Sequence, residues 1–371
     1  MSSPPSVDIS TAGKFHAYHL ASELAALGRL GDLYSAHRSI GPPKKVSRSA
    51  FHNRIDLALW GLASRHVKLG YSEERKNCIF DKWVARQLIG KRNPRILHGW
   101  NGCSSLTFRM LRDSGWLLCV ERSCPHNLFQ ANLIQEEASR IGVEYQLDSR
   151  TLEKDIEELH MADIIVVPSL YSAKSYADSN LQKKLRVNSL GANFSYSERK
   201  RKSKGLKVLM VGNMFLRKGT HYLIEAFKCI ARSDAELWIR GDIPNSYRTR
   251  ITDPRIKLFP PLSATRLRDL YKAADVFVQP SVDEGFGMTV LEALACGVPT
   301  VITENVGVRD ILNEDVSITV PIRDPQSIVT AIEKAQGMHG EQFDIARKKV
   351  LEGNTWRACA ERMLSQVYIK H

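Results

Sequence analysis

Short apolar runs of strand length recur along this chain. They alternate with stretches whose apolar residues fall three or four apart, the spacing of a helix with one buried face. The second half shows the alternation most regularly. Strands are predicted at Leu206–Val211, Ala235–Gly241, Ile256–Leu262, Asp275–Pro280 and Thr300–Ile302, with helices at Tyr222–Ile230, Leu267–Ala274 and Met288–Cys296. Gly297 stops the last of these helices, and Ile322–Pro325 opens a final regular unit. In the first half, Val7–Ile9 and Leu33–Tyr34 read as short strands. Phe15 to Leu27 reads as a helix, with Phe15, Ala17, Leu20, Ala21, Leu24 and Leu27 on its apolar face. Further strands are predicted at Arg95–Trp100, Trp116–Val120 and Asp163–Val167, and Leu185–Asn193 closes the half. Ser39–Lys91 reads as helical with breaks at Gly61, Gly70 and Gly90. Ser197–Gly205 is a charge run without apolar residues, which no core can hold, so it reads as a linker.

Two successive blocks of strands and helices predict an α/β protein of two doubly wound, Rossmann-like domains. The 371 residues, 43% of them hydrophobic, are ample for more than one core. No run approaches the ~18 apolar residues of a membrane span, and Met1–Pro5 lacks the basic and apolar segments of a signal peptide. A cytoplasmic setting is therefore expected. The seven cysteines are irregularly spaced, without zinc-binding patterns, and are expected to be free thiols. The net charge is +13, and Arg38–Arg95 alone holds fourteen Lys/Arg against four acidic residues. That excess is either a solvated face or a surface for an anionic acceptor or anionic membrane, which would make the protein peripheral to the membrane. No basic motif interleaved with aromatics points to nucleic acid.

The candidate chemistry centres on Asp283–Pro299. A strand ends, a glycine loop follows (Glu284, Gly285, Phe286, Gly287), and a helix begins at Met288 and Thr289. Free N–H groups and the helix dipole at such a turn suit a phosphate. Glu292 lies about five residues on, roughly 7 Å along the axis, where a ribose would lie. The plain alternative is a buried helix with two incidental glutamates. The full string, Glu-Gly-Phe-Gly…Glu-Ala-x-Ala-x-Gly-x-Pro, resembles the signature of family 4 glycosyltransferases.

That resemblance implies the GT-B fold, two Rossmann-like domains facing each other across a cleft. It places an N-terminal, acceptor-side domain at 1–195, a linker at 196–205 and a nucleotide-sugar domain at 206–355. A terminal helix, 356–371, would cross back to the first domain. The implied activity is that of a retaining transferase. A sugar passes from a nucleotide-diphosphate sugar to a glycan or lipid-linked acceptor, in polysaccharide or glycoconjugate synthesis. In the family Glu284 would hold the sugar and Glu292 the ribose hydroxyls. Lys218 matches the lysine of Gly-Arg-x4-Lys-Gly, which binds the diphosphate; Asn213 stands where the arginine is expected, and Arg217 is a neighbouring cation. Gly13 corresponds to the phosphate-contacting glycine of the first domain. His126 matches a histidine that reaches the donor sugar, with His98 a weaker candidate. No Asp-x-Asp triplet occurs, so no metal or other cofactor is expected. Two other classes stay open: a nucleotide-sugar 2-epimerase of similar fold, and a non-catalytic nucleotide-sugar-binding or membrane-partner protein.

Overall fold

The computed structural model describes residues 6–14, 16–37, 39, 41–60, 73–91, 95–146, 148–192 and 205–369. Two parallel sheets organise them. The first contains β1 (Val7–Thr11), β2 (Leu30–Ser35), β3 (Phe51–Asn53), β4 (Ile96–Trp100), β5 (Leu117–Glu121), β6 (Ile164–Val167) and β7 (Leu185–Val187), in the order 3-2-1-4-5-6-7. The second contains β8 (Leu206–Val211), β9 (Ala235–Arg240), β10 (Ile256–Phe259), β11 (Val276–Gln279), β12 (Thr300–Thr303) and β13 (Ser317–Val320), in the order 10-9-8-11-12-13.

Helices cover both faces of each sheet, so central strands bury every side chain and read as continuous apolar runs. Val276, Phe277 and Val278 of β11 are wholly buried, each contributing roughly 1.5–3 kcal/mol by area. The first sheet departs from this pattern. Asp8, Ser10, His98 and Glu121 are buried within its central strands, and the polar Asp8 and Ser10 are why β1 is weak in the sequence. Asp8 tolerates burial because Lys91 and Arg95 lie 3.1 and 3.0 Å away and the Asp32 N–H donates to it at 2.9 Å.

The helical reading of Ser39–Lys91 is only partly correct. Glu73–Leu88 is a helix, but Phe51–Asn53 forms β3, in register with Leu33–Ser35. His52 fixes this edge strand by stacking on Tyr34 and donating to Asp32 at 3.1 Å. Three residues are too few to show an alternation. Gly61 and Gly70 lie outside the described residues, as does the predicted linker except Gly205. Much of the positive charge here is consumed locally. Lys91 and Arg95 pair with Asp8 and Asp32, Arg54 with Asp56, Lys76 with Glu73 and Lys45 with Glu23.

The C-terminal helix, Trp356–Arg362, packs on the helix Ala17–Ala26 of the first sheet's layer. Buried Trp356 stacks on His16 and His19, and Tyr368 enters the first core. All seven cysteines are free. No helix among the described residues is long and apolar enough to cross a membrane.

Candidate active site

Each sheet reverses its strand order once, between β1 and β4 and between β8 and β11. Ligands of open parallel sheets bind outside the carboxyl ends of the strands at such reversals. The loop after β1 carries Gly13, the loop after β8 carries Asn213, Arg217 and Lys218, and the loop after β11 carries Glu284 to Gly287. The candidate residues are therefore brought to the two places where this fold leaves a crevice.

Lys218 and Glu284 are both nearly buried, and the lysine ammonium bonds directly to the Glu284 carboxylate. Arg217 stands 3.6 Å from the same carboxylate and 4.0 Å from Asp283. Burial alone would raise the Glu284 pKa. Lys218 first and then Arg217 overcome that and, with the Phe286 N–H, hold it below the ordinary value. Asp283 shows the opposite balance, its pKa raised by burial despite Arg217. Buried Phe286 fixes the loop, its carbonyl accepting from the Val308 N–H at 2.6 Å.

The helix Met288–Ala295 starts at Gly287, whose φ of 100° is a left-handed conformation natural to glycine. Thr289 donates its hydroxyl to Gln279 at 2.6 Å, pinning the helix start to the end of β11, while Met288 packs against the second core. Glu292, one turn along, accepts the Tyr271 hydroxyl at 2.8 Å. Its burial raises its pKa, and the Tyr271 hydroxyl and the charge of Lys218 offset part of that effect. Asn213 accepts from Arg240 at 3.1 Å, so a guanidinium from the end of β9 stands beside the position where the sequence lacks one.

The two halves meet at this loop. A side chain on Gly285 would lie 2.1 Å from the Ser123 carbonyl and 2.8 Å from Cys124 Cα, so only glycine allows the approach. Ser169 donates to the Gly285 carbonyl at 2.7 Å, Tyr171 donates to Asp283 at 2.9 Å, and Gln130 also donates to Asp283. Arg217 donates to Cys124 Sγ at 3.2 Å. Glu137, wholly buried, accepts from His221, Tyr222 and Arg323 of the second half.

His126 caps the helix Asn127–Ile141, its Nδ1 accepting from the Leu128 N–H at 3.3 Å and its ring set edge-on to Tyr176. Its helix reaches the site through Gln130. Sequence reasoning missed His16, in the loop of Gly13, and Glu121 at the end of β5. His16 Nε2 donates to Glu121, and His98 donates to the other oxygen at 3.1 Å. Ser123 donates to Glu121 at 3.3 Å, and Tyr368 donates to His98 at 2.8 Å. The Glu121 bond fixes the orientation of the His16 ring. A glutamate ending an apolar strand was the one available signal.

Glu121 yields a stability test. Burial would raise its pKa, but His16 first, with His98, holds it at about 2 against an ordinary 4.5. An acid held below its unfolded value contributes stability above that value and loses it as pH falls through the folded one. Glu121→Gln should therefore destabilise the protein at neutral pH by roughly 3 kcal/mol. In denaturant titrations the deficit should shrink between about pH 4.5 and 2. A deficit constant across that range would reassign Glu121 to packing alone.

Residues 205–336 match the profile of a family described as Glycosyl transferases group 1. An uncharacterized glycosyltransferase of Methanocaldococcus jannaschii is 32% identical over 171 residues, 43% of either chain. A D-inositol 3-phosphate glycosyltransferase of Mycobacteroides abscessus is 30% identical over 112 residues, 30% of this chain and 25% of that one. The chain thus spans less than half the length of these relatives. Sucrose-phosphate synthase from Thermosynechococcus elongatus superposes with a TM-score of 0.74 at 19% identity, covering 97% of both chains. WaaG, a glycosyltransferase involved in lipopolysaccharide biosynthesis, gives 0.64 at 15% identity, over 98% of this chain and 100% of that one. The two sheets have the GT-B arrangement. The family match falls on the second half of the chain, over the second sheet and the helices around it.

Proposed function

We propose that the protein is a retaining glycosyltransferase that moves a sugar from a nucleotide-diphosphate sugar to a hydroxyl of a glycan or lipid-linked acceptor in polysaccharide or glycoconjugate synthesis. The observation that carries the reading is the buried Lys218–Glu284 pair at the strand-order reversal, with Glu292 one helical turn beyond. The diphosphate would lie on the start of the helix Met288–Ala295, against Lys218, Arg217 and Arg240. Glu292 would take the ribose hydroxyls and Glu284 the sugar. Fixed cations and amide dipoles in a dry cleft stabilise the charge that develops on the leaving phosphate. The bond from the anomeric carbon to that phosphate breaks as the acceptor oxygen bonds to the same face, and the acceptor proton passes to the departing phosphate. His16, held by Glu121, stands beside the loop of Gly13. The basic stretch would face an anionic acceptor or membrane, and a cytoplasmic, peripheral location fits that role.

Leaving-group charge is assigned to these side chains, so transfer is expected to proceed without a divalent metal. A screen of UDP-, GDP- and ADP-sugars should show one donor releasing its nucleoside diphosphate when a glycan or lipid acceptor is added, with the rate unchanged by excess chelator. Complete loss that Mg²⁺ or Mn²⁺ restores would reject the metal-free reading. Donor turnover without any acceptor, giving an epimerised sugar, would indicate the 2-epimerase. Binding without turnover would indicate a non-catalytic sugar-nucleotide protein.

A further inference from the structure

The loops that carry Lys218 and Glu284 are tied to each other. The Arg217 carbonyl accepts from the Val282 N–H at 3.0 Å and from the Asp283 N–H at 3.3 Å. Gly219, at φ 62°, passes so close to the end of β11 that a side chain there would lie 2.0 Å from the Pro280 carbonyl oxygen. Both loops are also held from the first half. Asp283, the residue before Glu284, is wholly buried and accepts from Gln130 and Tyr171. His221, three residues after Lys218, donates to Glu137 at 3.0 Å, and Tyr222 donates to the same oxygen at 2.5 Å.

Gln130 and Glu137 lie on one face of one helix. They are seven residues apart in Asn127–Ile141, two turns and roughly 10 Å along its axis. Ile141, four residues further along the same stripe, packs against the core of the second half. Both polar side chains are oriented by other partners. The Arg122 guanidinium donates to the Gln130 amide oxygen at 3.0 Å, which turns the amide N–H groups toward Asp283. Glu137 is wholly buried and accepts a third bond from Arg323 Nε at 2.8 Å. Burial would raise its pKa, but the bonds from His221, Tyr222 and Arg323 hold it below the ordinary value. Arg323 reaches across from the loop after β13 at φ 61°. That left-handed conformation is strained for a residue with a side chain and persists only where the surroundings fix it.

We propose that Gln130 and Glu137 are positioning residues for sugar transfer: through Asp283 and His221 they set the spacing of Glu284 and Lys218, so that the donor site is complete only when this helix face is docked on the second half. The proposal rests on the transferase reading and adds to it two residues that touch no substrate. Each contact ends within three residues of a group assigned to the sugar or the diphosphate. Misplacing such a group by ~1 Å can lower a rate by about 10²-fold. Adhesion alone is a poor use of a buried carboxylate, because its desolvation offsets much of what its bonds contribute. The directional bonds at Glu137 and Asp283 fix geometry instead.

The test compares the whole wild-type chain with Gln130→Ala and Glu137→Gln. Hydrogen–deuterium exchange of residues 212–219 and 282–288 is measured beside kcat, acceptor KM and melting temperature. Rates are taken at a temperature where circular dichroism shows each protein folded. Each substitution should speed amide exchange in the loop it reaches and lower kcat by roughly 10- to 100-fold, with acceptor KM unchanged. Gln130→Ala alters a half-buried position and keeps the test open should Glu137→Gln fail to fold. A merely adhesive role would lower the melting temperature and leave kcat of the folded protein as in wild type, and that result overturns the proposal. Unchanged exchange in both loops overturns it whatever the rate. A wild type that turns over no donor would sink the transferase reading, and loop exchange in the two variants would still decide whether this helix sets the loops.

Discussion

Lys218→Met should lower sugar transfer roughly 10²- to 10³-fold, the usual cost of deleting one fixed donor to developing charge. Methionine keeps the apolar stem, which runs past Gly212 with its Cε about 3.1 Å from where a side chain would begin there. It removes only the ammonium. A loss of stability should accompany the loss of rate, because Glu284 would keep its burial with Arg217 as its remaining cation, 3.6 Å away. Removing one member of a buried ion pair typically costs about 3–5 kcal/mol, and Arg217 should moderate that figure. Adding Glu284→Gln removes the stranded charge. The double variant should therefore regain much of the lost melting temperature and none of the lost rate. Thermal denaturation beside initial rates of nucleoside diphosphate release reads both effects. Recovery of rate together with stability would make the pair a structural bond with no part in transfer.

The second sheet was legible in the sequence because its strands are apolar throughout. Val208, Leu209 and Met210 in β8, and Val276 to Val278 in β11, are buried on both faces and leave little room for another reading. The first sheet was harder to read for a physical reason. It buries Asp8, His98 and Glu121 in its central strands and satisfies them through residues distant in the chain, Lys91, Arg95, His16 and Tyr368. β3 was missed because it is only Phe51–Asn53, and β13 because Ser317–Val320 alternates polar and apolar residues over four positions. The loop positions of Glu284 and Lys218, and the helical position of Glu292, followed from strand–glycine–helix punctuation, which is local. The disposition of the histidines is a tertiary property. His126 has a helix N-terminus to cap, and His16 meets Glu121 across 105 residues of sequence. Arg240 beside Asn213 is a further case, since a neighbouring strand supplies the cation missing from the local motif.

Glu292 bears most directly on whether the cleft is a nucleotide site. One of its oxygens accepts the Tyr271 hydroxyl, which orients the carboxylate on the helix flank. A ribose diol beside it would add hydrogen bonds to a charged acceptor, each worth roughly 1.5–3 kcal/mol. Its burial raises its pKa, so a ligand that donates hydroxyl protons also relieves an under-solvated carboxylate. Glu292→Ala frees Tyr271 as well, so Glu292→Gln, which keeps an acceptor for that hydroxyl, serves as the shape control. The decisive measurement is calorimetric titration of wild type, Glu292→Gln and Glu292→Ala with UDP, GDP and ADP. At least one nucleotide should bind wild type, with affinity falling in Glu292→Gln and, in Glu292→Ala, by roughly 10- to 100-fold for each ribose hydrogen bond lost. Equal affinity in all three proteins, or no nucleotide bound by wild type, would contradict a nucleotide-sugar site at Glu284, Lys218 and Glu292.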